Sequence, residues 1–260
     1  MSDLELALRL TDVADGITLS RFQAVDLQIR TKSDHTPVTD ADTTAEDALR
    51  RELRSARPGD AVHGEERADE GEHGAERVWL VDPIDGTKNY ARGMPVWATL
   101  VALVVAGRPV VGVASAPALG RRWWASAGEG AWTAATGASP RRMAVSGVTQ
   151  LDQAYLSTTD LATFLDQATI ENYLALARRC RVTRAFGDFW QHCLVADGQI
   201  DIAVDGEANA WDLAAVEVIV TEAGGRFTDL EGKITHDGGS GLSSNGHLHD
   251  IALALLSSID

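Results

Sequence analysis

Apolar residues recur every three or four positions at Leu6, Leu10, Val13, Ala14 and Ile17, which is the spacing of one helix face. The same period returns over residues 40–53 with Ala41, Ala45, Ala48, Leu49 and Leu53, and Pro58-Gly59 predicts the end of that helix. The greasy run VWLV at 78–81 then predicts the first strong strand, so two helices precede it. Between helix and strand, RADEGEHGAE (67–76) is charged and glycine-bearing and predicts an exposed loop, a candidate for movement because it has little to pack. VWATLVALVV (96–105) and VVGVASAP (110–117) flank a short turn and predict an antiparallel hairpin near the core, followed by short strands at Trp123-Trp124 and 130–132.

Past residue 140 the pattern changes. Helical spacing over 169–178 gives way to a strand at 182–186, a helix at 189–196, the alternating strand QIDIAV at 199–204 and a helix at 211–223 that Gly224-Gly225 stops with a left-handed cap. HLH at 247–249 reads as a polar loop. Two helices, a run of mostly antiparallel strands, then alternating helix and strand predict a layered α/β (α+β) fold. The halves divide as residues 1–145 and 146–260, with a ligand cleft between them.

With 260 residues and 45% hydrophobic content, the chain can bury one large core, or two smaller layered halves that share an interface. A formal net charge of −15 sets the surface against nucleic-acid backbones and anionic membranes. The absence of any apolar run near eighteen residues, and of a basic stretch ahead of a greasy one, leads to the expectation of a cytoplasmic protein. Cys180 and Cys193 are too few for a disulfide framework and read as core or near-core thiols. A site for a small anion in so acidic a chain needs local positive charge, which a divalent metal held by carboxylates supplies.

The candidate chemistry lies in VWLVDPIDGTKNY (78–90). Its strand is expected to end at Asp82, with Pro83 and Gly86 turning the backbone so that Asp85 comes round beside Asp82. The Ile84 carbonyl and the Thr87 hydroxyl can face the same point. Two carboxylates, a carbonyl and a hydroxyl are hard oxygen donors suited to Mg²⁺. HGEE at 63–66 is a second acidic element, or a solvated turn. Asp212, opening the helix of AWDLAAVEVIVTEAGG, is a third, or a helix cap.

GEE (64–66), WLVDPIDGTKNY (79–90) and WDLAAVEVIVTEAGG (211–225) together resemble the signature motifs of the inositol monophosphatase superfamily, and the resemblance extends to TKSDHTPVTDAD near the N-terminus. It implies the family's αβαβα sandwich. It also implies one Mg²⁺ held by Glu65, Asp82 and the Ile84 carbonyl, a second held by Asp82, Asp85 and Asp212, and a weaker third helped by Glu65. Catalysis would fall to Glu65, Thr87 and Asp42, with Lys32 and Thr39 along the same edge and lithium as an inhibitor. Substrate would contact Asp85, the Gly86 and Thr87 amides, Asp188, Asp205 and Asp212. Segments 115–126, 186–203 and 243–250 look most like the actinobacterial histidinol-phosphate phosphatase branch. Asp188 and Asp205 could then face the cations of histidinol phosphate, although Asp188 also reads as a helix cap and Glu207 could share the role of Asp205. Inositol 1-phosphate or broader sugar phosphates are the alternative substrates, and a catalytically silent interaction protein is the alternative class. A homodimer is the assembly that the family implies.

Overall fold

The computed structural model describes residues 1–32, 35–72, 74–166 and 170–257. Helix α1 (Asp3–Arg21) starts on Ser2, whose hydroxyl accepts from the Glu5 amide while the Glu5 carboxylate accepts from the Ser2 amide. Two short strands, β1 (Ile29–Thr31) and β2 (Pro37–Thr39), form a hairpin that the hydrophobic pattern does not foretell. It leads directly into α2 (Asp40–Ala56).

The large sheet follows: β3 (Ala61–Gly64), β4 (Arg77–Asp85), β5 (Ala98–Val105), β6 (Arg108–Ala116), β7 (Arg121–Ser126), β8 (Gly130–Ala135) and β9 (Arg141–Arg142), joined in sequence order. A one-turn helix, α3 (Thr87–Ala91), leaves the end of β4. Only β3 and β4 run parallel; the other neighbours are antiparallel, including the expected β5–β6 hairpin. That hairpin closes through Ala106 and Gly107, both at positive φ, as a tight two-residue turn requires.

The second sheet contains β10 (Tyr155–Thr158), β11 (Val182–Arg184), β12 (Ile202–Asp205), β13 (Arg226–Thr228) and β14 (Gly241–Ser244), in the order β11-β10-β12-β14-β13. Among and beyond its strands lie α4 (Ala162–Asp166), α5 (Ile170–Ala177), α6 (Asp188–Ala196), α7 (Ala210–Glu222) and α8 (His249–Ser257). Thr169, the expected first residue of the α5 helix, lies outside the described residues.

Packing stacks these elements into five layers. Leu6, Leu10 and Ala14 of α1 and Ala45, Leu49 and Leu53 of α2 cover one face of the large sheet, meeting Trp79, Val81, Val101 and Leu103. The alternate residues Leu80, Leu100, Ala102 and Val104 face the other way, against Leu213 to Val220 of α7 and Phe189 to Ala196 of α6. The second sheet presents Ala203 and Phe227 to that same helix layer. Its opposite face packs Leu156, Ile202, Val204 and Leu242 on α5 and α8. The αβαβα sandwich is thus observed. Helix α7 sits between two sheets, which is why Leu213 through Val220 are all buried and no polar stripe remains.

Three expectations are corrected. QIDIAV does not start a strand at Gln199: the Gln199 and Ile200 amides donate to the Leu194 carbonyl and close α6, and β12 begins at Ile202. HLH is not a surface loop throughout, because His249 begins α8 fully buried, its ring nitrogens 3.0 Å from the Thr228 and Ser244 hydroxyls. The middle of the 67–76 loop is held, since Glu70 exchanges two backbone hydrogen bonds with Val62 of β3.

Candidate active site

A regular strand places residues i and i+3 on opposite faces, so Asp82 and Asp85 should point apart. The strand does not end at Asp82, as the sequence suggested; β4 continues to Asp85 through a bulge. Asp82 pairs with Leu100 and Asp85 with Ala98, three steps on β4 against two on β5. One extra residue restores the parity and turns both carboxylates to the same side. The Thr99 hydroxyl donates to the Pro83 carbonyl (2.8 Å) and the Ile84 amide to Asp82 Oδ1 (2.9 Å), fixing the bulge from both flanks. Gly86, at φ 84°, then redirects the chain into α3.

The N-terminus of α7 brings Asp212 to the same point, and one carboxylate oxygen from each of Asp82, Asp85 and Asp212 lies within 4.8 Å of the other two. Asp212 is also a cap, its Oδ2 accepting from the Asn209 amide (2.8 Å), so both readings of it hold. These three, with Glu65, Ile84, Gly86, Thr87, Lys88, Asp188 and Asn209, line a cleft of about 160 Å³. Thr87 Oγ donates to the Ile84 carbonyl (2.8 Å) and stands 3.2 Å from Asp42 Oδ1. Asp42 is wholly buried, and its other oxygen accepts from the amide and hydroxyl of Thr39 at the start of α2. Lys32 reaches in from beyond β1, 2.6 Å from Glu65 Oε1 and 2.7 Å from Glu66 Oε1.

Two cations stand at the cleft, Lys32 held by Glu65 and Glu66 and Lys88 on its lining, but neither is among the charges that act most strongly on Asp82, Asp85 and Asp212. Burial, then the fields of Glu65, Asp85, Asp212 and Asp42, raise the Asp82 pKa well above the carboxylate range. Burial followed by Asp188 and Asp212 does the same to Asp85. Asp212 is pushed up to about 7 by burial, with Glu65 and Asp205 adding to it against the Asn209 hydrogen bonds. Burial raises Asp42 to about 6 and Glu66 to about 7. Burial alone would lower the Lys32 ammonium, but the two glutamates outweigh it and raise its pKa. The charges acting most strongly on the three aspartates are all negative. Hard oxygen donors gathered this closely fit a divalent cation, which supplies the missing countercharge.

A smaller subsite of about 60 Å³ adjoins the cleft, sharing Asp85, Asp188 and Asp212 and adding Thr159, His192, Asp205 and Glu207. Asp188 enters α6 at φ 50°, and its carboxylate accepts from Asn89 (3.1 Å); burial raises its pKa to about 6. It does not cap α6, because the α6 cap position is Gly187, which has no side chain to do so. Asp205 is buried with both oxygens engaged: Oδ1 by Thr159 and by Gln191 (2.7 Å), Oδ2 by His192 Nε2 (2.6 Å). Glu207 stands exposed at the rim. The sequence reading missed Gln191 and His192; their only signal was that they follow Asp188 by three and four residues on one helix.

The inositol monophosphatase family profile matches residues 3–260. The chain belongs to the inositol monophosphatase family. Within the family it is 50% identical to a histidinol-phosphatase of Mycobacterium tuberculosis and 48% identical to one of Streptomyces coelicolor; each match covers 98% of this chain and 97% of the relative. The structure of an inositol monophosphatase from Zymomonas mobilis superposes with a TM-score of 0.86 at 33% identity, covering 98% of both chains. Enzymes of this family are metal-dependent, in keeping with the aspartate cluster of this member.

Proposed function

We propose that the protein is a Mg²⁺-dependent phosphate monoester hydrolase whose substrate is L-histidinol phosphate, hydrolysed to L-histidinol and phosphate in histidine biosynthesis. The observation that carries the reading is the convergence of Asp82, Asp85 and Asp212 on one point with no positive charge among them. Near-full-length similarity to two histidinol-phosphatases supports the choice of substrate. In this reading Glu65, Asp82, the Ile84 carbonyl, Asp85 and Asp212 hold two or three Mg²⁺, lithium competes for one of those positions, and the enzyme is a cytoplasmic homodimer.

Bound there, Mg²⁺ supplies charge neutralisation for the dianionic ester, acidifies the attacking water and stabilises the departing oxygen. The protein's own groups place and move the proton. Thr87 Oγ accepts from the water once its hydroxyl turns from the Ile84 carbonyl to Asp42 Oδ1, 3.2 Å away, and passes its hydrogen to that carboxylate, whose other oxygen is fixed by Thr39. A carboxylate with a pKa of about 6 is a useful proton acceptor near neutrality. Glu65 orients the same water, and the Gly86 and Thr87 amides receive phosphate oxygens. On the leaving-group side, Asp188, Asp205 and Glu207 give the adjoining subsite a negative field suited to an ammonium and an imidazole.

The test is phosphate release from L-histidinol phosphate and from myo-inositol 1-phosphate, each with Mg²⁺ and with EDTA. A Mg²⁺-dependent preference for histidinol phosphate is expected. Preference for the inositol ester would move the assignment to that substrate, and no turnover of either ester would remove the enzyme reading.

A further inference from the structure

Glycine at position 64 is not there for its backbone, since it does not occupy the positive-φ region. It is there for space: a Cβ would stand 2.6 Å from Glu46 Oε1 and 2.9 Å from a Val81 methyl. Glu46 is a carboxylate from the middle of α2, with no exposed surface, pressed against the turn that presents Glu65. Its Oε2 accepts from the Glu66 amide (2.7 Å) and its Oε1 from Arg50 Nε (2.8 Å) one helical turn later. Arg50, 1% exposed, donates onward to the Val62 carbonyl on β3 (3.4 Å) and to the Arg67 carbonyl beyond the turn (3.2 Å).

The pair therefore grips residues 62–67 by backbone atoms on both sides of Glu65 without touching Glu65 itself. A buried ion pair is weak evidence for stability, because desolvation consumes most of its attraction. Burial even raises the pKa of Glu46 despite Arg50 and the Glu66 amide. What such a pair fixes well is geometry. An apolar pair would fill the same space but leave the Glu66 amide and two carbonyls without these partners.

We propose that Glu46 and Arg50 are positioning residues that set the Glu65 carboxylate in register with Asp82 and Asp212, and so tune the divalent-cation affinity of the cleft. The inference rests on the metal reading above, and its test does not use turnover. Mn²⁺ binding to the full chain is measured by the electron paramagnetic resonance of free Mn²⁺, in the parent and in the double variant Glu46→Gln/Arg50→Met, which removes both charges at once. The double variant should bind Mn²⁺ about 10- to 100-fold more weakly. Its melting temperature in EDTA should stay within about 5 °C of the parent. Arg50→Lys keeps the charge but not the planar fork, and should weaken binding in the same direction. Removing the exposed Asp47–Arg67 pair, which joins the same helix to the same turn at the surface, should leave affinity within about twofold. Unchanged affinity in the double variant overturns the inference, as does a loss matched by a metal-free melting point more than about 10 °C lower. A parent that binds no Mn²⁺ instead overturns the metal reading on which it rests.

Discussion

Asp42 serves two structures at once. It completes the capping box of α2 with Thr39 and stands beside the Thr87 hydroxyl, so one carboxylate ties the start of a helix to the candidate water site. Asp42→Asn keeps a hydrogen-bonding side chain but removes the proton acceptor. It should lower kcat by about 10²-fold or more and flatten the acid limb expected of the parent as pH falls through about 6, where Asp42 takes up a proton. A pH profile of kcat with its acid limb intact in the variant would move the proton elsewhere. Asp205 is a sharper case. Its engagement by Thr159, Gln191 and His192 makes it the floor of the subsite. Asp205→Ala should raise KM for L-histidinol phosphate at least about tenfold while leaving hydrolysis of a plain aryl phosphate within about twofold, since only the former has cations to lose. Equal losses on both esters would make the residue purely structural. Asp205 was legible from its motif, whereas His192 was not, because a lone histidine in an apolar helix usually belongs to the core.

At the scale of elements, the site depends on α7 lying flat on the large sheet. Gly112 of β6 makes that approach possible, since a Cβ there would meet the Ala215 carbonyl oxygen at 2.4 Å and a Val218 methyl at 2.5 Å. Gly112→Ala must push α7 outward, with an overpacking cost of about 1–3 kcal/mol. We expect a melting temperature lower by about 3–10 °C, by calorimetry. Because α7 carries Asp212, divalent-cation affinity should fall as well; a variant with parental melting and binding would show that helix and sheet give way independently. The periodicities of α1, α2 and the β5–β6 hairpin were legible because their apolar faces are local facts of sequence. The bulge in β4 was not. Pro83 and Gly86 announced a break, but pairing with β5 decides that the strand continues and that Asp85 returns to the face of Asp82. β1 and β2, only three residues each, carry no period long enough to detect.

For the molecule as a whole, the cleft is a store of unfavourable charge. Asp42 and Asp188 are raised to about 6 and Glu66 and Asp212 to about 7, and burial with like charge also lifts Asp82 and Asp85 well above the ordinary carboxylate range, whereas unfolded carboxyls titrate near 4. Between about pH 4.5 and 7 the folded metal-free protein thus binds more protons than the unfolded chain, so its stability increases as pH falls and is lost as pH rises through the folded pKa values. His249, lowered to about 4 chiefly by burial, opposes this with a single proton. In EDTA the melting temperature should rise from pH 7.5 to pH 5. Saturating Mg²⁺ should raise it at neutral pH and flatten the dependence. A metal-free melting temperature that instead falls steadily from pH 7.5 to pH 5 would mean that burial and mutual repulsion together do not raise these carboxylates in solution.

The sequence by itself determined the layers and the chemistry. Hydrophobic period marks the buried faces of α1, α2 and the β5–β6 hairpin, and residue type marks hard oxygen donors for a site, as DPIDGT and the WD helix already indicate. The tertiary structure decided which donors meet. Asp82 and Asp212 are 130 residues apart in the chain and converge only because α7 packs across β4. The Glu46–Arg50 grip on the Glu65 turn is likewise invisible until α2 lies against β3, because an i,i+4 pair on a helix reads as a solvated face until something buries it.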